Sequence, residues 1–104
     1  MARMSLIVII GQFDIHPDDA AAAGELMRTM MNATVKEQGC HHYAYARNLE
    51  TPNRFQLSEL WENDESLAAH FRAEHMATYK AGMSKLRVQM RTVRRYDATN
   101  PKDL

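Results

Sequence analysis

The sequence predicts an α+β fold in which four strands form one antiparallel sheet and two helical regions cover one face of it. Three observations predict this fold: a β-branched run near the start, two helix-forming segments, and strand-like alternation after each of them. The order strand, helix, strand, strand, helix, strand is the split βαβ arrangement of ferredoxin-like domains. A chain of 104 residues without internal repeats is expected to be one domain over 1–104, with its core over about 5–96 and a polar tail over 97–104.

The first strand and the first helix follow from local composition. Residues 5–15, SLIVIIGQFDI, are apolar on both faces and predict a central strand. Pro17 suits the first turn of a helix, and the residues after it place Ala, Leu and Met at spacings of three and four. The helix is expected to end near Gln38, because Gly39 tolerates the positive φ that closes a last turn.

The second half of the chain places a hairpin in front of its helix. Residues 40–47 and 54–61 alternate with period two, and ETPNR between them has the composition of a turn. The Asn-Asp pair at 63–64 can cap the second helix, which is expected to bend or break near Glu74. A last strand with interspersed basic residues is predicted over 86–96.

Charge and composition argue against several classes of function. Thirteen basic residues balance thirteen acidic ones, which removes the general attraction to phosphate on which nucleic-acid binding depends. The longest apolar run, Leu6 to Ile10, is far too short to cross a bilayer, so no membrane partner is expected. The start MARM is too short for a signal peptide, and the single cysteine, Cys40, cannot form an internal disulfide. These features predict a cytoplasmic protein.

One face of the predicted sheet needs cover from outside the chain. The helices occupy only the other face. Tyrosines, a valine and a methionine on the second and fourth strands could pack against the same face of a second copy. A homodimer is therefore expected.

Two stretches of the sequence carry a family resemblance. They read EQGCHHYAYARN and PNRFQLSELWENDESLAAHFRAEHMATY, and their most specific part runs from Glu59 to His75. These residues resemble the antibiotic biosynthesis monooxygenase family, a group of small dimeric α+β barrels that includes quinol monooxygenases. The resemblance implies an enzyme that oxidises a quinol-like or polycyclic phenolic aromatic with O₂ as co-substrate and uses no metal, flavin or haem cofactor.

The implied reaction needs a base, an apolar chamber and a donor for the forming oxyanion. His70 and His75 are the candidate bases, because neutral imidazole accepts a proton near pH 7. Glu59 is expected to orient one of them, and Tyr43 or Tyr79 to donate to the oxyanion. The residues expected to contact the substrate are Trp61, Tyr43, Tyr79, Leu57, Leu67 and Met27.

Ordinary packing is the competing explanation for the same residues. A histidine on an apolar face is commonly a core residue with bonded ring nitrogens, and a tryptophan at the end of a strand commonly packs. On a continuous helix His70 and His75 would point about 140° apart, unlike two metal ligands four residues apart, so no metal site is expected.

Departures from the family pattern favour the quinol monooxygenase branch. Leu57 and Leu67 stand where the branch that oxidises aromatic polyketides has an Asn and a Tyr. Gln12, His70 and Lys80 stand where the haem-degrading branch has an Asn, a Trp and a His. The pattern with both His70 and His75 most resembles that of the quinol monooxygenase branch.

Two other functions stay open. A phospho-autoinducer isomerase is similar in having both histidines, and it would need cations such as Arg47, Lys80 and Lys85 at its pocket. A non-catalytic dimer that binds a small hydrophobic metabolite would use the same chamber without turnover.

Overall fold

The computed structural model describes residues 4–104 and confirms the predicted α+β fold. In chain order the elements are β1 (Ser5–Ile15), a short 3-10 turn (Pro17–Asp19), α1 (Ala20–Thr34), β2 (Cys40–Arg47), β3 (Arg54–Trp61), α2 (Asp64–Phe71), α3 (Glu74–Met83) and β4 (Val88–Thr99). No helix in the described range is long and apolar enough to span a membrane.

The four strands form one antiparallel sheet in the order β2-β3-β1-β4. The register pairs Ile9 with Glu59, and it pairs Phe13 with both Phe55 and Arg91. Because side chains alternate between the two faces of a sheet, the odd-numbered residues of β1 and β3 lie together under the helices. This face provides the sheet side of the core.

The core lies between that face of the sheet and the three helices. α1 contributes a buried stripe that includes Met27 and Met30, and α3 contributes Met76 and Met83. The largest side chain that is fully shielded from solvent is that of Trp61, at the end of β3. Burial of an apolar side chain of the size of Met contributes roughly 1.5 to 3 kcal/mol. The packing therefore fixes the helices firmly on the sheet.

The end of α1 differs from the sequence-based prediction. The helix ends at Thr34 and not near Gln38. Beyond it the chain tightens, because the N–H of Lys36 donates to the carbonyl of Ala33 and the N–H of Glu37 donates to that of Thr34. The tighter turn directs the side chain of Glu37 toward α2.

The last strand also differs from the prediction, whereas the break in the second helical region is confirmed. β4 extends to Thr99, which pairs with Ser5, so the first residues of the predicted polar tail belong to the sheet. α2 ends at Phe71 and α3 begins at Glu74, where the sequence predicted the bend or break. This break controls the geometry of the site.

The sheet face turned away from the helices carries an apolar band. Ile10 and Tyr96 on this face are each 50% exposed. The tyrosines of the second strand do not belong to it, contrary to the prediction, because Tyr43 and Tyr45 pair with helix-facing residues of β3. The register places the following apolar residues on this open face: Leu6, Val8, Ile10, Leu60, Met90, Tyr96 and Ala98.

Candidate active site

A cavity of about 300 Å³ lies between the helix-facing side of the sheet and the pair α2 and α3. This volume is at the small end of the range for small-molecule sites. Most of the wall is apolar, with contributions from Phe13, Leu57, Met76 and Val93. The lining residues with polar or ionisable groups are Tyr43, Tyr45, Glu59, His70, Tyr79, Lys80 and Arg91.

His70 lies in the last turn of α2 and is 1% exposed. Its ring packs against the indole of Trp61, with ring centroids 4.8 Å apart, and against the ring of Tyr43 at 5.4 Å. Nδ1 of His70 lies 2.7 Å from Oε2 of Glu37. Because an ionised carboxylate only accepts hydrogen bonds, Nδ1 carries the proton, and Nε2 is the acceptor in the neutral ring.

The acceptor nitrogen of His70, Nε2, is available to a ligand. It has no hydrogen-bond partner among residues 4–104. Oγ1 of Thr34 is the only fully buried polar side-chain atom without a partner in that range, so Nε2 is not fully enclosed, and His70 lines the cavity. Burial lowers the pKa of His70 below its ordinary value, although the hydrogen bond and charge of Glu37 oppose this shift. The imidazole is therefore neutral at pH 7 and can accept a proton.

Glu37 reaches His70 from the turn that connects α1 to β2. Its N–H donates to the carbonyl of Thr34 at 2.9 Å, and Gly39 has a φ of +82°, which favours glycine. A Cβ at Gly39 would overlap the side chain of Ser66, so the turn packs tightly against α2. The sequence reasoning missed Glu37. Its only local signal is its place in the EQGC turn, and its contact with His70 joins residues 33 positions apart.

His75 approaches the same carboxylate from the start of α3. Its Nε2 lies 2.8 Å from Oε2 of Glu37, the oxygen that also accepts from His70. The break between the two helices makes this possible, since a spacing of five on one continuous helix would separate the rings. His75 does not line the cavity. It lines a groove beside α1 that Leu26 and Met30 share, and its side chain is 26% exposed.

Glu37, His70 and His75 are also the one group in the described range whose ligand atoms could meet at a metal, all within 4.8 Å of one another. Their contacts of 2.7 and 2.8 Å are hydrogen-bond lengths. A tetrahedral zinc ion would hold neighbouring ligand atoms about 3.4 Å apart, so it could enter only if the carboxylate moved away from both rings. The absence of a metal from the reaction therefore stays a prediction.

Glu59 lines the cavity from β3 and is 5% exposed. It accepts a hydrogen bond of 2.7 Å from Nε1 of Trp61, two residues along the same face of the strand. Burial raises the pKa of Glu59 to about 7; the bond from Trp61 opposes this shift and the charge of Glu37 adds to it. The sequence had suggested that Glu59 orients a histidine. In the structure the carboxylate that bonds to both histidines is instead that of Glu37.

Three tyrosine hydroxyl groups form a chain at the cavity. Tyr45 donates to Tyr79 at 3.0 Å, and the hydroxyl of Tyr43 lies 3.3 Å from that of Tyr45. Because the single proton of Tyr45 goes to Tyr79, Tyr43 is the donor to Tyr45, and the proton of Tyr79 stays free for a ligand. Burial raises the pKa of all three phenols, so they remain protonated donors.

The remaining residues predicted to contact the substrate divide into two groups. Leu57 lines the cavity together with the two predicted tyrosines. Trp61, Leu67 and Met27 are buried in the core and do not line it. Met27 lies beside a different hollow on α1. Trp61 holds Glu59 and packs on the ring of the buried histidine, so its contact is with the polar groups of the site.

Comparison with protein families places most of the chain in one family model. The model described as Antibiotic biosynthesis monooxygenase matches residues 6–82. No curated protein matches the sequence.

Solved structures share the fold at low sequence identity. A protein of Deinococcus radiodurans, provisionally named an antibiotic biosynthesis monooxygenase, has a TM-score of 0.87 and 21% identity over 94% of this chain and 97% of its own. A protein of Nitrosomonas europaea with the same provisional name has a TM-score of 0.83 and 22% identity over 89% of each chain. A conserved protein of Methanosarcina mazei Go1 has a TM-score of 0.82 and 24% identity over 89% of this chain and 92% of its own. At these identities the likeness shows the fold.

Proposed function

This chain belongs to the antibiotic biosynthesis monooxygenase family, and we propose that it oxidises a quinol-like or polycyclic phenolic aromatic with O₂ and without a cofactor. Membership of the family supports a monooxygenase-type activity in general. One observation carries the finer proposal: His70 lines an apolar cavity as a neutral, desolvated base, and Glu37 holds it in one tautomer with Nε2 free.

The substrate supplies the electrons in this reaction. Loss of a proton from its hydroxyl group gives an anion that can pass one electron to O₂, and the two radicals combine into a peroxide. The O–O bond then breaks together with the C–H bond of the same ring carbon, which leaves one oxygen atom on the ring as a carbonyl. The other oxygen leaves as water, with one proton from that C–H bond and one from the protonated base. A quinol and O₂ thus give a hydroxyquinone and one water, and no further oxidant or reductant is needed.

Two side chains act directly on the substrate in this scheme. Nε2 of His70 removes the hydroxyl proton, and the carboxylate of Glu37 stabilises the imidazolium that forms. Tyr79 donates its free proton to an oxygen of the substrate anion. When the O–O bond breaks, His70 returns its proton to the departing oxygen, which restores the neutral base.

Glu59 sets an upper limit to the useful pH. The pKa of Glu59 is about 7, so below that pH its carboxyl group is mostly neutral and does not repel an anion in the cavity. Above that pH the buried carboxylate and the substrate anion share a desolvated space, which raises the cost of removing the proton. The reaction is expected to slow on the alkaline side for this reason.

The proposed form of the enzyme is a homodimer that packs through the open face of the sheet. Ile10 and Tyr96 are half exposed at the centre of an apolar band on this face. Apolar bands of this kind in a small domain are commonly covered by a second copy in an isologous contact. A dimer of this type would close two sheets into a barrel.

We place the enzyme in the cytoplasm. Cys40 is the single cysteine of the chain and is free in the structure, where it is partly buried. A free thiol is typical of a reducing compartment.

A second function, isomerisation of a small phosphorylated compound, is favoured by one observation. Lys80 and Arg91 line the same cavity. Of the other cations expected for this activity, Arg47 lies over the ring of Phe55 at 5.0 Å and Lys85 does not line the cavity. The apolar character of the remaining wall favours an aromatic substrate, because sugar-like hydroxyl groups would lose their hydrogen bonds there.

Oxygen uptake in the presence of a metal chelator tests the proposal. The purified protein and its His70→Gln variant are given naphthoquinols and anthrones under ¹⁸O₂. His41→Ala, which replaces an exposed histidine on β2, is the matched control variant. We expect uptake above the rate without enzyme and one ¹⁸O atom in the organic product. Calorimetric binding of the same compounds without uptake would favour a non-catalytic binder, and isomerisation of a phosphorylated sugar-like compound without uptake would favour the second function.

A further inference from the structure

We infer that the substrate carries a carboxylate at the end remote from its oxidised ring, and that Arg91 and Lys80 bind this group. The inference rests on the proposed function and names the substrate class more closely. Charge is distributed unevenly around the cavity. Glu59 and the base His70 lie in one part of the wall, and the two cations, Arg91 and Lys80, lie in another.

The strand register separates these two parts. Glu59 pairs with Ile9 of β1, and Arg91 pairs with Phe13 of the same strand. Four residues of an extended strand span about 13 Å. Arg91 also lies on β4, on the other side of β1 from the strand of Glu59. A fused aromatic ring system with a short acidic side chain can span this distance, whereas a single ring with the acid beside its hydroxyl group cannot.

The cationic part of the wall is built around aromatic and hydroxyl groups. The guanidinium of Arg91 lies 5.9 Å from the centre of the Phe13 ring, which keeps it beside the cavity. Tyr79 lies between the two parts of the wall: its pKa, which burial raises, is lowered by the charge of Arg91 and raised by that of Glu59. Lys80 follows Tyr79 directly on α3. A carboxylate here could pair with both cations.

Ion pairs occupy several arginines elsewhere in the described chain but neither of these two cations. Arg54, Arg87 and Arg95 each pair with an aspartate at 2.6 to 3.0 Å. Arg91 and Lys80 have no acidic partner among residues 4–104. Unpaired cations are common on protein surfaces. These two differ because they line one cavity, on the side away from its only acidic group.

A carboxylate on an aromatic body fits this arrangement better than a phosphorylated aliphatic compound. The wall between the two parts includes Phe13, Leu57 and Val93, which offer no hydrogen bonds to side-chain hydroxyl groups. A flat hydrocarbon body can fill this space, and one negative charge matches the cations at its end. A dianionic phosphate would also be repelled more strongly by Glu59 when that group is ionised.

Calorimetry under anaerobic conditions tests the inference without any turnover. The ligands are a naphthoquinone with a propionate side chain and its neutral primary amide. We expect the acid to bind at least tenfold more tightly than the amide, and this preference to fall to about twofold or less in Arg91→Gln and in Lys80→Gln. Arg94→Gln is the matched control, since Arg94 is exposed on the same strand but faces the open side of the sheet. It should keep the wild-type preference.

Equal affinity for acid and amide would overturn the inference, and so would a preference that survives in the double variant of Arg91 and Lys80. Tighter binding of a phosphorylated sugar-like compound than of the aromatic acid would also overturn it. The two proposals can fail separately. An acid preference without oxygen uptake would contradict only the oxygenase, and oxygen uptake that is equal for acid and amide substrates would contradict only the carboxylate.

Discussion

Oε2 of Glu37 lies 2.7 Å from Nδ1 of His70, so a residue outside the cavity fixes the position of the proton on the histidine that lines it. The bond keeps Nδ1 protonated and leaves Nε2 as the acceptor. The strength of this base therefore depends on a carboxylate that does not line the cavity. Glu37 is a positioning residue, and its removal should change the pH dependence of the reaction.

Glu37→Gln should lower kcat by roughly tenfold or more, because the carboxylate that fixes the tautomer of the base and stabilises its protonated form is lost. Because the charge of Glu37 raises the pKa of His70, the acid limb of the pH profile should move to lower pH in this variant. The measurement is kcat/KM for oxygen uptake between pH 5 and 9. Glu62→Gln is the control. It removes an exposed carboxylate just before α2, the helix that carries His70, and should leave the pH profile unchanged. A lower rate with an unshifted acid limb would assign Glu37 to structure alone.

Glu59→Gln should change how stability depends on pH. The folded-state pKa of Glu59 is about 7, above the ordinary 4.5, so the folded protein holds the proton more tightly than the unfolded chain. The contribution of this group to the stability of the wild type should therefore be largest below pH 4.5 and should fall by roughly 3 kcal/mol as pH rises from 4.5 to 7. Gln keeps an acceptor for Trp61 and removes the charge.

Urea unfolding at pH 5 and pH 8 measures this effect. The stability of Glu59→Gln relative to wild type should increase between the two pH values, whereas that of Glu62→Gln should stay nearly constant. Parallel changes in all three proteins would show that the carboxyl group of Glu59 is not desolvated as the structure has it.

Tyr79→Phe should lower kcat by roughly a hundredfold, because it removes the hydroxyl proton that the tyrosine chain leaves free for the substrate. The effect on KM should be small, since the ring and its packing remain. Steady-state oxygen uptake with one quinol measures both constants. Tyr96→Phe, on the open face of the sheet, is the control and should retain the wild-type kcat. Unchanged kcat in Tyr79→Phe would remove the donor from the scheme.

Ile10→Asp should convert the proposed homodimer into a monomer. Ile10 is 50% exposed at the centre of the apolar band, opposite Arg94 of β4, and a carboxylate placed there would have to be desolvated in an isologous contact, a cost that an ion pair with Arg94 does not fully offset. Sedimentation velocity at micromolar concentration gives the mass in solution. Leu49→Asp, a substitution of a fully exposed leucine between β2 and β3, should leave the mass unchanged. A monomeric wild type would contradict the dimer directly.

Much of the fold could be predicted from the sequence because its signals are local. The alternation of Phe55, Leu57 and Glu59 gives the helix-facing side of β3, and the cap at Asn63 gives the start of α2, where its side chain accepts from the N–H of Ser66. The boundaries that differed depend on tertiary contacts. β4 continues through Thr99 because β1 offers a pairing partner as far as Ser5, which composition alone does not reveal.

The candidate site was predicted only in part, for a similar reason. The sequence singled out His70, His75 and Glu59 by residue type and by the resemblance. It did not predict that both histidines bond to one carboxylate. Glu37 lies in a turn that is distant from them in sequence, and the break between α2 and α3 changes the angle between the two histidines. For Trp61 the sequence predicted the position but not the burial. The alternation along β3 places Trp61 on the helix-facing side, whereas its complete burial depends on how tightly α2 packs against it.

The most direct test of the central claim is oxygen uptake by His70→Gln with a quinol that the wild type oxidises. Gln keeps a polar side chain of similar length but cannot accept the proton at neutral pH. If Nε2 of His70 is the base, uptake should fall by at least a hundredfold, while calorimetric affinity for the corresponding quinone and the urea midpoint stay close to those of His41→Ala. Uptake within a few-fold of the wild-type rate in a folded His70→Gln protein would contradict the account.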